Sequence, residues 1–96
     1  MAYNPITEYR QASTRLRGIA RNRGTTMATT SARQRAIADQ DRAVGVLLRS
    51  YDTGYHIVGL LVEEAKLADR DWQNRPELKE RMLKLRRELR ELEAWL

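Results

Sequence analysis

The chain reads as all-α: a long central helix, an antiparallel C-terminal helical hairpin and a basic N-terminal helix. Ile37, Val44, Tyr51, Val58, Ala65 and Trp72 recur every seven residues, a strict period that keeps one seam of a helix turned towards a partner helix. Leu78, Met82, Leu85, Leu89, Leu92 and Leu96 alternate spacings of four and three, the a/d pattern of a coiled coil. Pro5 and Pro76 stand where helices begin.

The first helix starts at Asn4-Pro5, because Asn caps exposed N–H groups and Pro suits the first helical position. It runs to about Arg23, with Ile6, Tyr9, Ala12, Leu16 and Ile19 on its apolar side and Arg10, Arg17 and Arg21 elsewhere. Gly24 stops it, and Gly24 to Ser31 is a Thr-rich linker with Met27 as its large apolar residue. The chain therefore divides into a basic amphipathic helix plus linker over residues 1–31 and a helical hairpin with heptad seams over residues 32–96.

Thr30 or Ser31 caps the central helix, which extends from Ala32 to Trp72, about 60 Å at 1.5 Å per residue. Its early part is thin, with Ile37 among Ala32, Ala36 and Ala38. Between 57 and 67, Ile57, Val58, Leu60, Leu61, Val62, Ala65 and Leu67 cover most of the circumference, so this part meets more than one neighbour. Asp52, Thr53 and Gly54 are adjacent poor helix formers. Because the seven-residue phase passes through them from Tyr51 to Val58, a continuous, kinked helix is expected, giving three helices in all. A break at Asp52–Gly54 would instead give a four-helix bundle.

Pro76 opens the last helix, which runs to Leu96, and disfavours helical geometry at Arg75. A loop of about three residues makes it antiparallel to the central helix. Glu77 with Arg81 and Glu80 with Lys84 add i,i+4 pairs of about 0.2–0.5 kcal/mol each.

Ninety-six residues make one domain that buries a modest share of its surface, which favours oligomerisation. The absence of Cys removes disulfides, thiolate catalysis and Cys-based zinc sites, and one His cannot build a multi-His metal site. No metal or cofactor is expected. Arg10, Arg15 and Arg17 interrupt any apolar run of signal-peptide length, and Arg49, Asp52 and His56 sit in the middle of the most apolar window, Ala43 to Val62, against a membrane span. The expected location is the cytoplasm, or a virion for a phage-encoded chain.

Charge is uneven. Residues 1–35 hold seven Arg against Glu8, a net +6, whereas residues 36–96 hold eleven basic against twelve acidic residues, a net −1. Counting in sevens from Arg35 gives Arg42, Arg49, His56, Glu63 and Arg70, a mainly basic outer stripe. The polyanion-binding candidates are Arg10, Arg15, Arg17, Arg21, Arg23, Arg33, Arg35, Arg42 and Arg49. No helix-turn-helix spacing or zinc motif accompanies them, and Pro76 between the Arg cluster and the Leu ladder rules out a basic-region zipper.

Asp52-Thr53-Gly54 resembles the triplet of aspartic proteases, but that chemistry needs the Asp on a loop between strands, and this triplet lies within helical periodicity. Asp52 and His56, four apart, read as a surface ion pair, since no Ser or Cys nucleophile stands beside them. No catalytic residue is identified.

The expected function is that of a non-enzymatic assembly or adaptor protein, a bacterial or phage accessory factor that self-associates or docks on a larger complex. Its partner seam is Val44, Leu48, Tyr51, Tyr55, Val58, Val62, Trp72, Leu78, Met82, Leu85, Leu89, Leu92 and Trp95, with the two Trp as anchors. A nucleic-acid-binding regulator or packaging protein using the Arg-rich third is the alternative. An inhibitor of a partner with an acidic groove is a third reading of the same residues.

Overall fold

The computed structural model describes residues 3–21 and 27–96, and all regular structure among them is helical. The elements are α1 (Pro5–Arg21), α2 (Met27–Leu48), α3 (Tyr51–Ala68) and α4 (Pro76–Glu93). They fall into two compact units, Met1–Val46 and Leu47–Leu96. No helix among the described residues is long and apolar enough to cross a membrane.

In the first unit, Asn4 caps α1 as the sequence implies: its Oδ1 accepts from the N–H groups of Ile6 at 3.0 Å and Thr7 at 3.3 Å. Ile6, Tyr9 and Ala12, with Ser13, form the buried side of α1, and α2 supplies the small buried residues Ala36 and Ala43. Cross-pairs run antiparallel, Glu8 with Arg42, Ser13 with Gln40 and Arg15 with Asp39. α2 begins at Met27 rather than Ala32, so most of the expected Thr-rich linker is helical. Thr and Ser cost a helix less than about 0.7 kcal/mol each relative to Ala, and this stretch contains neither Gly nor Pro to stop it. Arg23 and Gly24 lie outside the described residues.

The continuous central helix is not what forms. α2 ends at Leu48 and α3 starts at Tyr51, with Arg49 and Ser50 making the turn. Ser50 has φ −91° and ψ 22°, and its N–H donates to the Leu47 carbonyl at 3.0 Å. The physical reason sits at Gly54. A Cβ there would collide with the Leu47 carbonyl, so the two backbones approach as closely as only Gly permits. Asp52, Thr53 and Gly54 are therefore the first turn of α3, and the break falls just before them.

In the second unit, α3 and α4 form the expected antiparallel hairpin. Ile57, Leu60, Leu61 and Leu67 face a core with Leu78, Met82, Leu85 and Leu89. Ile57, Leu61, Met82 and Leu89 are almost wholly removed from water, each burial contributing about 1.5–3 kcal/mol. His56 pairs with Glu88 and Glu63 with Arg81 across the helices, the falling partner numbers confirming the antiparallel sense. α3 stops at Ala68, four residues short of Trp72, because the backbone tightens there: Arg70 N–H donates to Leu67 O at 3.0 Å. The connection thus spans 69–75 rather than three residues. Arg75 is extended, at φ −119° and ψ 112°, as a residue before Pro should be. α4 closes at Glu93, and Trp95 N–H turns back to Leu92 O at 3.0 Å.

Candidate interaction surfaces

The residues expected to form a partner seam have several fates. Leu78, Met82, Leu85 and Leu89 are spent inside the hairpin, and Leu92 is half-buried. On α3, Val58 and Val62 are half-buried and Tyr55 is 66% exposed. Val44 and Leu48 on α2 are half-buried, and the Tyr51 side chain lies outside the described residues. Trp72 is half-buried, with the Arg86 guanidinium 5.1 Å from its ring centroid, a cation–π contact. Trp95 is 81% exposed.

Burial follows a stripe one residue ahead of the large-residue ladder. Ala36, Ala43, Ile57 and Glu64 are buried, whereas Ile37 is 43% exposed and Val44, Val58 and Ala65 are half-buried. Small Ala and charged Glu concealed this stripe, because apolar bulk favours the ladder beside it. Glu64 is the residue the sequence reading missed. Its side chain is 10% exposed, and Arg86 Nε lies 3.8 Å from its Oε2.

The first unit is stitched by polar groups. Arg15 Nη2 donates to Asp39 Oδ2 at 2.6 Å, and Arg42 Nη2 donates to Asp39 Oδ1 at 2.9 Å. Arg42 Nε donates to Glu8 Oε1 at 2.9 Å, with Nη2 on the same oxygen. Gln40 Nε2 donates to Ser13 Oγ at 2.9 Å, and that hydroxyl donates to Tyr9 O at 2.9 Å. Burial pushes the Glu8 carboxyl up, but the neighbouring Tyr3 hydroxyl and Arg42 guanidinium outweigh it and hold the group below its ordinary range. The Arg15 hydrogen bond, against some desolvation and aided by the charges of Arg15 and Arg42, does the same for Asp39. Burial raises the Tyr9 phenol. An open groove of about 1410 Å³ is lined by Tyr3, Thr7, Gln11, Arg15, Asp39 and Arg42, among others, and its Arg15, Asp39 and Arg42 are occupied with charged groups of the chain itself.

Of the polyanion candidates, Arg21, Arg33 and Arg35 are exposed in the first unit, and Arg10 and Arg17 are half-buried. Arg17 Nη2 donates to Thr14 Oγ1 at 3.1 Å. Arg49, also exposed, belongs to the second unit. The expected stripe from Arg35 to Arg70 is not one helix face, since the turn at Arg49–Ser50 interrupts it. His56 Nε2 meets Glu88 Oε1 at 3.2 Å rather than Asp52. Taken by structural unit, the charge stays on the N-terminal side, though less unevenly than with the division at residue 35. Residues 1–46 hold eight Arg against Glu8, Asp39 and Asp41, a net +5, and residues 47–96 hold ten basic against ten acidic residues. No group of His, Cys, Asp and Glu among the described residues is placed to hold a metal ion.

What the fold defines is a class: a small all-helical protein of two helix pairs, one joined by polar side chains and one by an apolar core. Comparison of the chain with family models, with characterised proteins and with solved structures finds no match.

Proposed function

We propose that the protein is a non-enzymatic assembly or adaptor factor that works by presenting helix faces to protein partners, its own copies included. The observation that carries this is the side of α3 left over once α4 is in place. Tyr55, Val58, Gly59 and Val62 share one stripe by helical spacing, with Tyr55 66% exposed and nothing within 4 Å of a Cβ built on Gly59. An exposed aromatic beside Val side chains and a bare backbone is the composition of a helix-docking face, since Gly lets a partner helix approach closely. Sedimentation velocity from micromolar to sub-millimolar concentration tests self-association. Affinity capture with and without nuclease separates protein partners from polyanion carry-over. A compact monomer at every concentration, with no protein recovered, overturns the reading.

The charge partition supports a second reading, polyanion binding by the first unit. Exposed Arg21, Arg33 and Arg35 would carry it, while Arg15 and Arg42 are already neutralised by Asp39 and Glu8. Few counterions would then be released. Affinity for duplex DNA should fall by only about ten- to a hundred-fold between 50 and 200 mM salt if three or so phosphates are contacted. No loss on replacing these three Arg by Gln removes this reading.

A further inference from the structure

With α4 in place, α3 keeps an outer stripe whose members step by three and four: Asp52, Tyr55, Gly59, Val62 and Lys66. Asp52, Tyr55, Gly59 and Lys66 are exposed and Val62 is half-buried. The contacts to α4 use other positions. Ile57, Leu60, Leu61, Glu64 and Leu67 are the large buried residues of α3, and the bridges to Glu88 and Arg81 start at His56 and Glu63. A helix laid along the outer stripe therefore leaves α4 where it is.

The stripe is its own complement about Gly59. Asp52 stands seven residues before that Gly and Lys66 seven after it, while Tyr55 stands four before and Val62 three after. Turned end over end, the stripe sets acid on base, aromatic on aliphatic and Gly on Gly. A partner of another sequence imposes no such condition on this face. A two-fold contact does, because residue i must suit j and j must suit i.

We propose that this stripe is the contact between two copies of the chain, packed antiparallel with the two-fold axis at Gly59. This rests on the docking-face reading above and names its partner and register. Gly59 bears no Cβ, and nothing in the chain lies within 4 Å of where one would stand, so the two helix axes reach their closest approach there. Tyr55 of each copy lies over Val62 of the other, which covers the exposed aromatic of the stripe. Asp52 and Lys66 meet twice, at the two ends of a contact about 21 Å long. Neither side chain is paired with another charge of its own chain among the described residues, so no existing bridge is broken. A parallel pairing fails on the same residues, since it puts Asp52 on Asp52 and Lys66 on Lys66. One helix pair of this length is at the small end of specific interfaces, so the dimer is weak.

Charge reversal reads the register. Asp52→Lys sets Lys against Lys at both ends of the contact and Lys66→Asp sets Asp against Asp, so each alone weakens dimerisation about ten-fold or more at low salt. Mixed in equal amounts, the two variants restore both pairs in a heterodimer. Gly59→Leu gains helix propensity and meets nothing in its own chain, yet puts two Leu side chains at the closest approach and weakens the dimer at least about thirty-fold.

The test is sedimentation velocity on the full chain up to sub-millimolar concentration, with far-UV circular dichroism to show that each variant is folded. The expected result is a dimer of the unsubstituted protein, loss in each variant, and recovery in the mixture of the two charge reversals. Loss without recovery in the mixture overturns the register. Should a reversed chain lose helix, Gly59→Leu decides alone, and undiminished dimerisation of that variant overturns the proposal. If the unsubstituted protein dimerises and no variant changes it, the two-fold at Gly59 is wrong and self-association stands. If it stays monomeric while Tyr55→Ala abolishes capture of a different protein, the docking face stands and its partner is not a second copy. A monomer that captures nothing overturns both.

Discussion

Glu64 occupies a position in the α3/α4 hairpin where the neighbouring pattern calls for an aliphatic side chain, and it is 10% exposed there. Its carboxylate has Arg86 Nε at 3.8 Å, outside hydrogen-bond range, and the Arg86 side chain is 48% exposed. Two unit charges at that distance attract by about 4 kcal/mol at an effective dielectric of 20, but solvent around Arg86 reduces the net contribution to about 1 kcal/mol. Against this stand the several kcal/mol lost in desolvating a carboxylate. A Leu of similar reach and helix propensity would gain about 1.5–3 kcal/mol from burial. Because Leu burial and the relieved desolvation are set against the Arg86 pair and the other interactions that Glu64 makes, Glu64→Leu should stabilise the hairpin by no more than about 1 kcal/mol, raising the urea midpoint by at most about 1 M for a slope near 1 kcal/mol/M. The assay is urea unfolding followed by circular dichroism and by the fluorescence of Trp72, which is half-buried beside Arg86. Arg86→Met is the control: it should cost about 1–2 kcal/mol alone, including a lost cation–π contact, and less in the Glu64→Leu background. A lowered midpoint for Glu64→Leu would refute the argument, showing that the carboxylate contributes more through its partners than its burial costs.

Leu89→Ala, which empties a site wholly removed from water in the hairpin, should cost about 2–4 kcal/mol by chemical denaturation, with the slope unchanged. Glu8 and Asp39 titrate lower in the folded chain than in the unfolded one, so their contribution is full above the ordinary carboxylate range and is lost as pH falls through their depressed values. An acid titration monitored by circular dichroism should show that loss, and Arg42→Ala should reduce it. Tyr9 is shifted in the other direction: its buried phenol stabilises the fold below the ordinary value of 10.0 and does so less as pH rises past it, and Tyr9→Phe should flatten the alkaline limb.

Helix type and the hairpin were legible because they depend on periodicity and on Pro76, which are local signals. The Leu78–Leu89 ladder is the buried face of α4 as its spacing implies. The break between α2 and α3 was legible as the alternative, from the poor helix formers Asp52, Thr53 and Gly54, and four helices fit that option; its place at Arg49–Ser50 was not, because what permits it is a contact seven residues apart, Gly54 against the Leu47 carbonyl, and the continuous phase argued the other way. Bulk misled in a second respect. Ile37 outweighs Ala36 in any reading by size, yet Ala36 is the buried one. Charge was legible as an excess in the first third, but its internal pairing was not. Arg15 and Arg42 find Asp39 and Glu8 across 24 and 34 residues, distances over which sequence spacing carries no information.

The two helix pairs are held by different cements. Guanidinium–carboxylate pairs and an amide–hydroxyl bond join α1 to α2, whereas α3 and α4 share aliphatic surface. Dissolved ions screen exposed charge pairs, and strongly hydrated anions such as sulfate strengthen apolar burial. Adding such a salt therefore acts in opposite senses on the two kinds of contact, weakening exposed pairs such as Arg15–Asp39 and Arg42–Glu8 while it strengthens the aliphatic burial that dominates between α3 and α4. The protein's most labile region is set by its solvent as well as by its sequence.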